Sequence, residues 1–543
     1  MRINLNIVHL DENISKRKLA FFIFLIILIG AISFTGLNGS LQNLDECLYA
    51  NISRETFENR SLIPLKEGQF YVHKSPLMFW SVLLSFKLFG VNDFAAKFTS
   101  ALANAVTSIF ILLISRKLFK SSIAGTIAVL IYLTSLQVYG SSHQLATDSL
   151  MVMTIFGSLF FSLKGLDDRK AWFFLAAVFN GMTFLTKSAM GLIVPVTLFL
   201  YILFQKRWDI FPFLILYVLI SLAISAPYFL FIYRKAPDLF IKTFLKANIL
   251  GRFYRKGGVN IETIGAIISA GIQYIALLFL FLLPFSPGMF FLFYRKGEEG
   301  SMKDILWDKL SKFISIYFVI VLIGFAISSA NGVWTHYTLP MIPAVSLFLG
   351  ITLKKIKNQK IFLYFAFIAF LAIAVVTGVY IKIHRTYPTY RDVIIGLAIV
   401  YLLFVIYNFI FYFSKIKANR GILYGTVMFF ICFTIFTAIT VPLDFNADIK
   451  SFSEVVYEEQ SPLIIINTKE VNEGGNKRRA AYWYLKMRDS EYRTFDHFIN
   501  KSDKIKRGTY LIYYNGYERK LKSIHSSFKV LKTGKIWNIG VIE

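Results

Sequence analysis

Cysteine and charge are what this chain has least of. Cys47 and Cys432 are its two cysteines in 543 residues, far apart in sequence. They supply no disulfide framework and no cysteine-based metal site. Charged residues make up 17% of the chain, against 56% hydrophobic and 17% aromatic, and phenylalanine alone occurs 56 times. A soluble domain carries about 25% charged residues, so this composition excludes an ordinary soluble fold. Acid is scarcer than base: 32 Asp and Glu stand against 59 Lys and Arg, a formal net charge of +27. In a soluble chain that excess would point to nucleic acid. Here the basic residues are scattered between apolar runs and no nucleic-acid motif accompanies them. They read instead as caps of membrane helices that meet anionic headgroups.

What the sequence has is a succession of apolar runs. A membrane helix needs ~20 mostly apolar residues. By that measure there are about thirteen spans, at roughly 19–37, 93–115, 121–140, 147–164, 171–186, 189–205, 210–232, 262–294, 311–329, 337–353, 360–382, 392–413 and 421–441. The runs at 171–186 and 189–205 are short, parted only by Lys187-Ser188, and read as two spans or one broken hairpin. The run at 262–294 is too long for one upright helix and reads as tilted or as starting at the interface. Lys16-Arg17-Lys18 before the first run looks like the start of a signal peptide, but no small-residue cleavage pattern follows, so an uncleaved first helix is expected.

With the N-terminus inside, the connections "SRKLFK", "KGLDDRKA", "QKRWD", "YRKGEEGSMKDILWDKLSK", "KKIKNQK" and "SKIKANR" fall in the cytoplasm, and all are basic. The segments 38–92 and 233–261 and the tail from about 445 then lie outside. The tail turns polar, with the short apolar runs "PLIIIN", "GTYLIYYN" and "GKIWNIGVIE" and a helical stretch "KRRAAYWYLKM". It reads as a small α/β domain. The expected fold class is therefore a polytopic α-helical membrane protein with amphipathic helices on its outer face. A membrane domain over 1–444 would be followed by an extracytoplasmic α/β domain over 445–543. The expected location is a multi-pass plasma (inner) membrane, with the site and the tail on the periplasmic side.

The outer segments carry the chemistry. "LDECLYANISRETFEN" has apolar residues at 44, 48, 52 and 57, which fits an amphipathic helix lying on the membrane and beginning with Asp45-Glu46. Acids at a helix start are stabilised there whatever else they do. "VHKSPLMFW" follows, with His73 and Lys74 ahead of Pro76, which suits a helix start. Lys74 reads either as a phosphate partner or as a side chain snorkelling to headgroups. "SSHQLATDSLMVM" places Asp148 at the outer start of the fourth span, with Thr147 as its expected cap. "FLTKSAMG" brings Lys187, "KANILGRFYRKGG" brings Arg252 and Arg255, and "NGVWTHYTLP" brings His336 and Tyr337. Acids, cations and aromatics thus gather at the ends of spans, not through their middles.

The stretch "LDECLYANISRETFENRSLIPLKEGQFYVHKSPLMFWSVLLSFKLFGVNDFAAKF" resembles the opening of the ArnT-like bacterial glycosyltransferases. These are relatives of the protein O-mannosyltransferases in the membrane GT-C class. The family pattern is Asp-Glu after the first span, a K-P-P-type turn, then "W…FG…FAAR". "ATDSLM" is similar to its second acidic site, "LTKSAMGL" to its T-K-G segment and "HYTLPMIPAVSLFLG" to its late span. The resemblance runs in order over residues 1 to about 355. It implies a GT-C fold and a sugar donor linked to polyprenyl phosphate, usually undecaprenyl phosphate. The sugar would pass to a lipid A-like, glycan or protein acceptor on the outer face.

By position, Asp45 matches the family's catalytic acid, Asp148 its second acid, Lys74 a lysine facing the donor phosphate and Lys187 another lysine of the cavity. Glu46 joins the two aspartates as a catalytic candidate, and Arg252 and Arg255 join Lys74 at the phosphate. His73, His336 and Tyr337 join Lys187 around the substrate. The chain departs from the pattern at Ser75, where Pro is usual, at Ser188, where Gly is usual, and at His73, where the ArnT branch has an acid. Asn248 stands where a histidine helps to bind metal, so the candidates for a divalent metal here are His73 and Asn248. The rival reading is a transporter or flippase of lipid-linked sugars. Transporters show repeat symmetry and broken helices near the middle of the membrane; this sequence shows no repeat and few charges in the middle of its spans. A structural membrane scaffold would not need the ordered outer acids and lysines.

Overall fold

The computed structural model describes residues 25, 27–41, 44–250, 261–289, 308–329, 332–356, 359–383, 391–414, 416–439, 450–451, 463–467, 490–494, 509–514, 521–522, 528–533 and 537–542. Among these, eight helices are long and apolar enough to cross a membrane. They are Asp93–Phe119, Thr147–Asp167, Ser188–Gln205, Trp208–Lys235, Ile264–Phe281, Leu310–Ser328, Ile394–Tyr412 and Ala418–Phe436. Ser122–Thr134 and Leu136–Ser142 add a ninth if they form one span, bent by 68°. Leu77–Phe89, Trp172–Thr186 and Lys360–Val375 are apolar but shorter. The chain is therefore a polytopic helical membrane protein, and the expected thirteen spans come down to eight or nine by this measure among the described residues.

The differences have local causes. The run expected at 262–294 leaves the helix at Phe281, and the turns that follow contain Pro284 and Pro287; proline has no N–H to extend a helix. The run expected at 337–353 divides into one tight turn, Thr335–Thr338, and a helix, Ile342–Lys355, with Pro343 in its first turn. Of the first run, 19–37, the described part is helical over 27–34. The two runs around Lys187 part there: Trp172–Thr186 ends, Lys187 is extended, and a tight turn at Ser188–Leu192 leads into Ile193–Gln205.

Inside the bundle, polar side chains bond to one another, as they must without water. Asn104 donates to Ser142 Oγ at 2.8 Å and accepts from Tyr132 OH at 2.7 Å. These bonds tie Asp93–Phe119 to both arms of the bent helix. Small residues bring backbones close elsewhere. A Cβ placed on Gly350 would lie 2.3 Å from the Ala124 carbonyl oxygen and 2.9 Å from the Ala128 Cβ.

The described part of the tail forms a five-stranded sheet in the order Ser490–Thr494, Leu463–Asn467, Tyr510–Tyr514, Trp537–Ile542, Phe528–Thr533. The first three strands are parallel and the last two antiparallel to their neighbours. Three of them are the apolar runs read from the sequence, and the helical stretch "KRRAAYWYLKM" lies outside the described residues. Leu463, Tyr510, Ile512 and Ile539 share one buried apolar cluster with Cys47, Tyr49, Ile52, Met78 and Phe79. The sheet thus packs on the end of the bundle that carries Asp45. At the other end, Lys117 pairs with Asp167 and Asp168, and Arg207 with Asp209.

Gly350→Ala is expected to destabilise the protein by about 1–3 kcal/mol, the usual cost of overpacking, because the obstacle is backbone that cannot rotate away. Gly265→Ala, at a helical glycine with open space around it, is the control. Thermal unfolding in detergent should show a lower Tm for the first variant and none for the second; equal Tm values would contradict the close helix contact.

Candidate functional site

The helix Leu44–Glu58 forms where the sequence places it, with Asp45 and Glu46 in its first turn. Its polar face is covered by protein rather than open to water. Glu46, Cys47, Ala50, Asn51, Ser53, Arg54, Glu55 and Thr56 are all buried. Its polar side chains satisfy backbone groups of neighbouring segments instead. Glu46 Oε1 accepts the Leu145 N–H at 3.0 Å. Glu55 accepts the N–H groups of Glu67 and Gly68 at 2.9 and 2.6 Å, and Thr56 Oγ1 accepts that of Leu65 at 2.9 Å. Glu67 and Gly68 both have positive φ and form the two-residue turn of the hairpin Leu65–Lys66 and Gln69–Phe70. Bonds from N–H groups to a buried carboxylate are charge-assisted, so Glu55 holds the hairpin that delivers Tyr71, His73 and Lys74.

Asp45 points the other way from Glu46 and is exposed. Tyr49, one helical turn on, places its phenol beside Asp45. Burial, then the charge of Asp45, pushes the Tyr49 phenol well above its usual range, so it stays a proton donor. Asp148 acts on the same phenol. The Lys74 ammonium lies 5.8 Å from the centre of the Tyr49 ring, within cation–π range. Tyr49 therefore touches the surroundings of both acids and of Lys74. The sequence reading passed it over, although its spacing of four from Asp45 was a usable signal.

Asp148 stands in the first turn of Thr147–Asp167; Ala146 is the cap, and Thr147 is already helical. Lys187 Nζ lies 3.0 Å from Asp148 Oδ1, both side chains largely buried. Lys187 is placed there by the break between its two helices, and its ammonium lies 5.2 Å from the Tyr337 ring centre. His336 packs on Tyr337 with ring centres 4.6 Å apart. After Lys187, the charges that act on Asp148 include His336 and Lys74. Ser75 and Ser188, each following one of the two lysines, hydrogen-bond to each other at 2.9 Å.

The structure thus brings Asp45, Lys74, Asp148, Lys187, His336 and Tyr337 to one end of the bundle, from five separate segments. Glu46 is turned into the protein, and its contact is with backbone. Arg252 and Arg255 lie outside the described residues, as does the side chain of Asn248. His73 is exposed, and partial burial with Lys74 and Lys66 beside it pushes its imidazole below the usual range. That leaves it neutral at pH 7 but in a positive field that disfavours a cation. Among the described residues no three His, Cys, Asp or Glu side chains come together as a metal site.

Comparisons with known proteins agree with the resemblance read from the motifs. Residues 73–231 match the family model described as dolichyl-phosphate-mannose-protein mannosyltransferase. The undecaprenyl phosphate-alpha-4-amino-4-deoxy-L-arabinose arabinosyl transferase of Edwardsiella ictaluri (strain 93-146) is 31% identical over 202 residues, 36% of this chain and 37% of that protein. Its counterpart in Yersinia pestis (strain Pestoides F) is 26% identical over 317 residues, 56% of this chain and 54% of that one. The chain thus spans between about a third and about a half of the length of the curated relatives it matches. The fold match is longer. The crystal structure of ArnT from Cupriavidus metallidurans bound to undecaprenyl phosphate superposes with a TM-score of 0.74 over 96% of this chain and 98% of that one, at 16% identity. The apo form of that protein gives 0.72 at 15% identity. The fold is ArnT-like.

The buried pair yields a double-mutant test. Removing one partner of such a pair typically costs about 3–5 kcal/mol, because the other charge is left buried and unpaired. Lys187→Met alone should therefore lower stability strongly. Lys187→Met with Asp148→Asn should recover much of the loss. Additive losses in a thermal or denaturant series would show that the two side chains are not coupled.

Proposed function

We propose that this protein is a membrane glycosyltransferase that moves a sugar from polyprenyl phosphate, of the undecaprenyl class, to a lipid A-like, glycan or protein acceptor on the outer face of the membrane. The observation that carries this reading is the meeting of Asp45, Tyr49, Lys74 and the Asp148–Lys187 pair at one end of the bundle. The curated relatives, named for an undecaprenyl-phosphate-linked donor, and the ArnT-like fold support the same reading. The basic connections away from the site support the outer placement, and the reading includes thirteen crossings and a tail domain over 445–543.

In this reading an acceptor O–H or N–H attacks the anomeric carbon as the bond from that carbon to the phosphate oxygen breaks. Asp45, the exposed acid, takes the acceptor proton. Tyr49, one turn along the same helix, keeps a protonated phenol beside that carboxylate. The leaving polyprenyl phosphate carries a growing negative charge, which Lys74 meets directly. Arg252 and Arg255 belong to the same role. Lys187 is engaged by Asp148, so this pair acts as a fixed dipole beside His336 and Tyr337. Glu46 acts through position, by holding the Leu145 backbone near Asp148. One base without a partnered nucleophile implies a single displacement with inversion.

The test is a matched set of variants assayed with a panel of undecaprenyl-phosphate-linked sugars. Asp45→Asn keeps the size of the side chain and should cost about 10²–10⁴ in turnover, the usual span for a general base. Lys74→Ala should chiefly weaken use of the donor, and Lys74→Arg should restore part of it, since charge survives while geometry changes. Near-wild-type turnover by Asp45→Asn, with equal expression and Tm, would remove the carboxylate from the chemistry and the reading with it.

A further inference from the structure

Between the first membrane helix and Asp45 runs a short linker, 38–41, and its backbone carbonyls are held from outside. Lys97 Nζ donates to the carbonyl oxygens of Gly39 and Ser40 at 2.7 and 2.8 Å. Lys450 Nζ donates to the carbonyl of Asn38 at 2.9 Å. The Cys47 thiol, in the helix of Asp45 itself, faces the carbonyl of Leu41 at 3.9 Å. Four successive carbonyls are thus engaged by side chains from three parts of the chain.

The two lysines are not independent. Lys97 is 1% exposed and lies one turn after Asp93 on the helix Asp93–Phe119. Asp93, itself buried, accepts from Lys450 at 2.6 Å. Both grips on the linker therefore spring from the first turns of one helix. Burying an ammonium is costly unless dipoles or counter-charges replace its water, and at Lys97 the carbonyl dipoles do so. Lys450 belongs to the tail, and Lys532, on the edge strand Phe528–Thr533, donates to the carbonyl of the next residue, Ser451, at 2.9 Å. A chain of contacts thus runs from the C-terminal sheet to the linker before Asp45.

We propose that Lys97 and Lys450 are positioning residues. They hold the linker 38–41 by its carbonyls and so set the helix that presents Asp45, with the C-terminal sheet acting through Lys532 and Ser451. This rests on the assignment of Asp45 as the base. Neither lysine is placed against substrate. Their effect is on where the Asp45 carboxylate stands, so turnover should respond while the affinity for the donor phosphate, set at Lys74, should not. The sheet is then a brace of the reaction centre, joined to it by charge as well as by the apolar cluster below.

The experiment uses the full-length protein in nanodiscs, with Lys450→Met, Lys450→Arg, Lys97→Met and Lys97→Arg. Hydrogen–deuterium exchange of the amides in 36–50 is read first, because it needs no donor; turnover is then measured with the donor the wild-type protein uses. Both methionine variants should speed exchange in 36–50, and kcat should fall about tenfold with donor KM changed less than twofold. The arginine variants should recover part of both. Lys97→Met removes a buried contact and can unfold the protein, whereas Lys450 is partly exposed, so Lys450→Met decides. Unchanged exchange and turnover in Lys450→Met, alongside an inactive Asp45→Asn, would overturn the clamp and leave the base assignment standing. An active Asp45→Asn would overturn the base assignment, and exchange in 36–50 would then decide the clamp alone.

Discussion

The ion pair between Lys187 and Asp148 is the contact around which this end of the molecule is arranged. Two opposite charges at 3.0 Å with little exposure are tolerated only if both stay paired and oriented. Asp148 comes from the first turn of a long helix, and Lys187 from the break between two others. Lys187 can reach Asp148 only because Trp172–Thr186 stops before it and Ile193–Gln205 starts after a tight turn. The break between these two runs is thus what brings a cation to the acid. Tyr337 lies against the same ammonium and Ser188 ties the break to Ser75. The position of Lys74 relative to Asp45 follows from there.

Ser75 and Ser188 show how motif reading by position can miss a joint change. Each stands where the pattern this sequence resembles has a residue with a backbone role: proline stiffens a turn and glycine permits close approach. Taken separately they weaken the match to the family pattern. In space they face each other at 2.9 Å and link the turn of Lys74 to that of Lys187. That hydrogen bond fixes the spacing between the turns that carry the two cations.

Much of the fold was legible because membrane helices announce themselves by apolar length, and the order of candidate residues was legible from the motifs. The surroundings of Leu44–Glu58 were not. Its period of apolar residues gave the helix, but the same pattern suggested water for the opposite face. That face carries Glu46, Glu55 and Thr56, whose partners lie between 9 and 99 residues away, and no local pattern encodes such partners. In the tail, the strands read correctly were the apolar ones. Ser490–Thr494 and Phe528–Thr533 were missed, and they are the two edges of the sheet. Edge strands keep charges such as Glu491, Arg493, Lys529 and Lys532 because an apolar edge would recruit another chain. The property that protects the edge hides it from a reading based on apolarity.

The distribution of ionised groups separates the two ends of the bundle. The interior contacts are neutral: Asn104 with Ser142 and Tyr132, Ser158 with Tyr217, Asn180 with Ser221. At the end away from the site, Lys117 and Arg207 meet acids close by on the same loops or adjoining helix ends, in partly exposed pairs. Such pairs add little energy and suit a surface that only meets water and headgroups. At the site end the acids come from different elements. Asp45 and Asp148 are 103 positions apart, and the bond from Glu46 to the Leu145 backbone fixes one segment against the other. Two carboxylates on one helix would have a separation set by the helix alone. On two elements joined by a third carboxylate, the separation is set by tertiary packing and can be matched to a substrate between them. In the proposed reaction the proton acceptor, Asp45, and the cation that meets the leaving phosphate, Lys74, are likewise held by different parts of the fold.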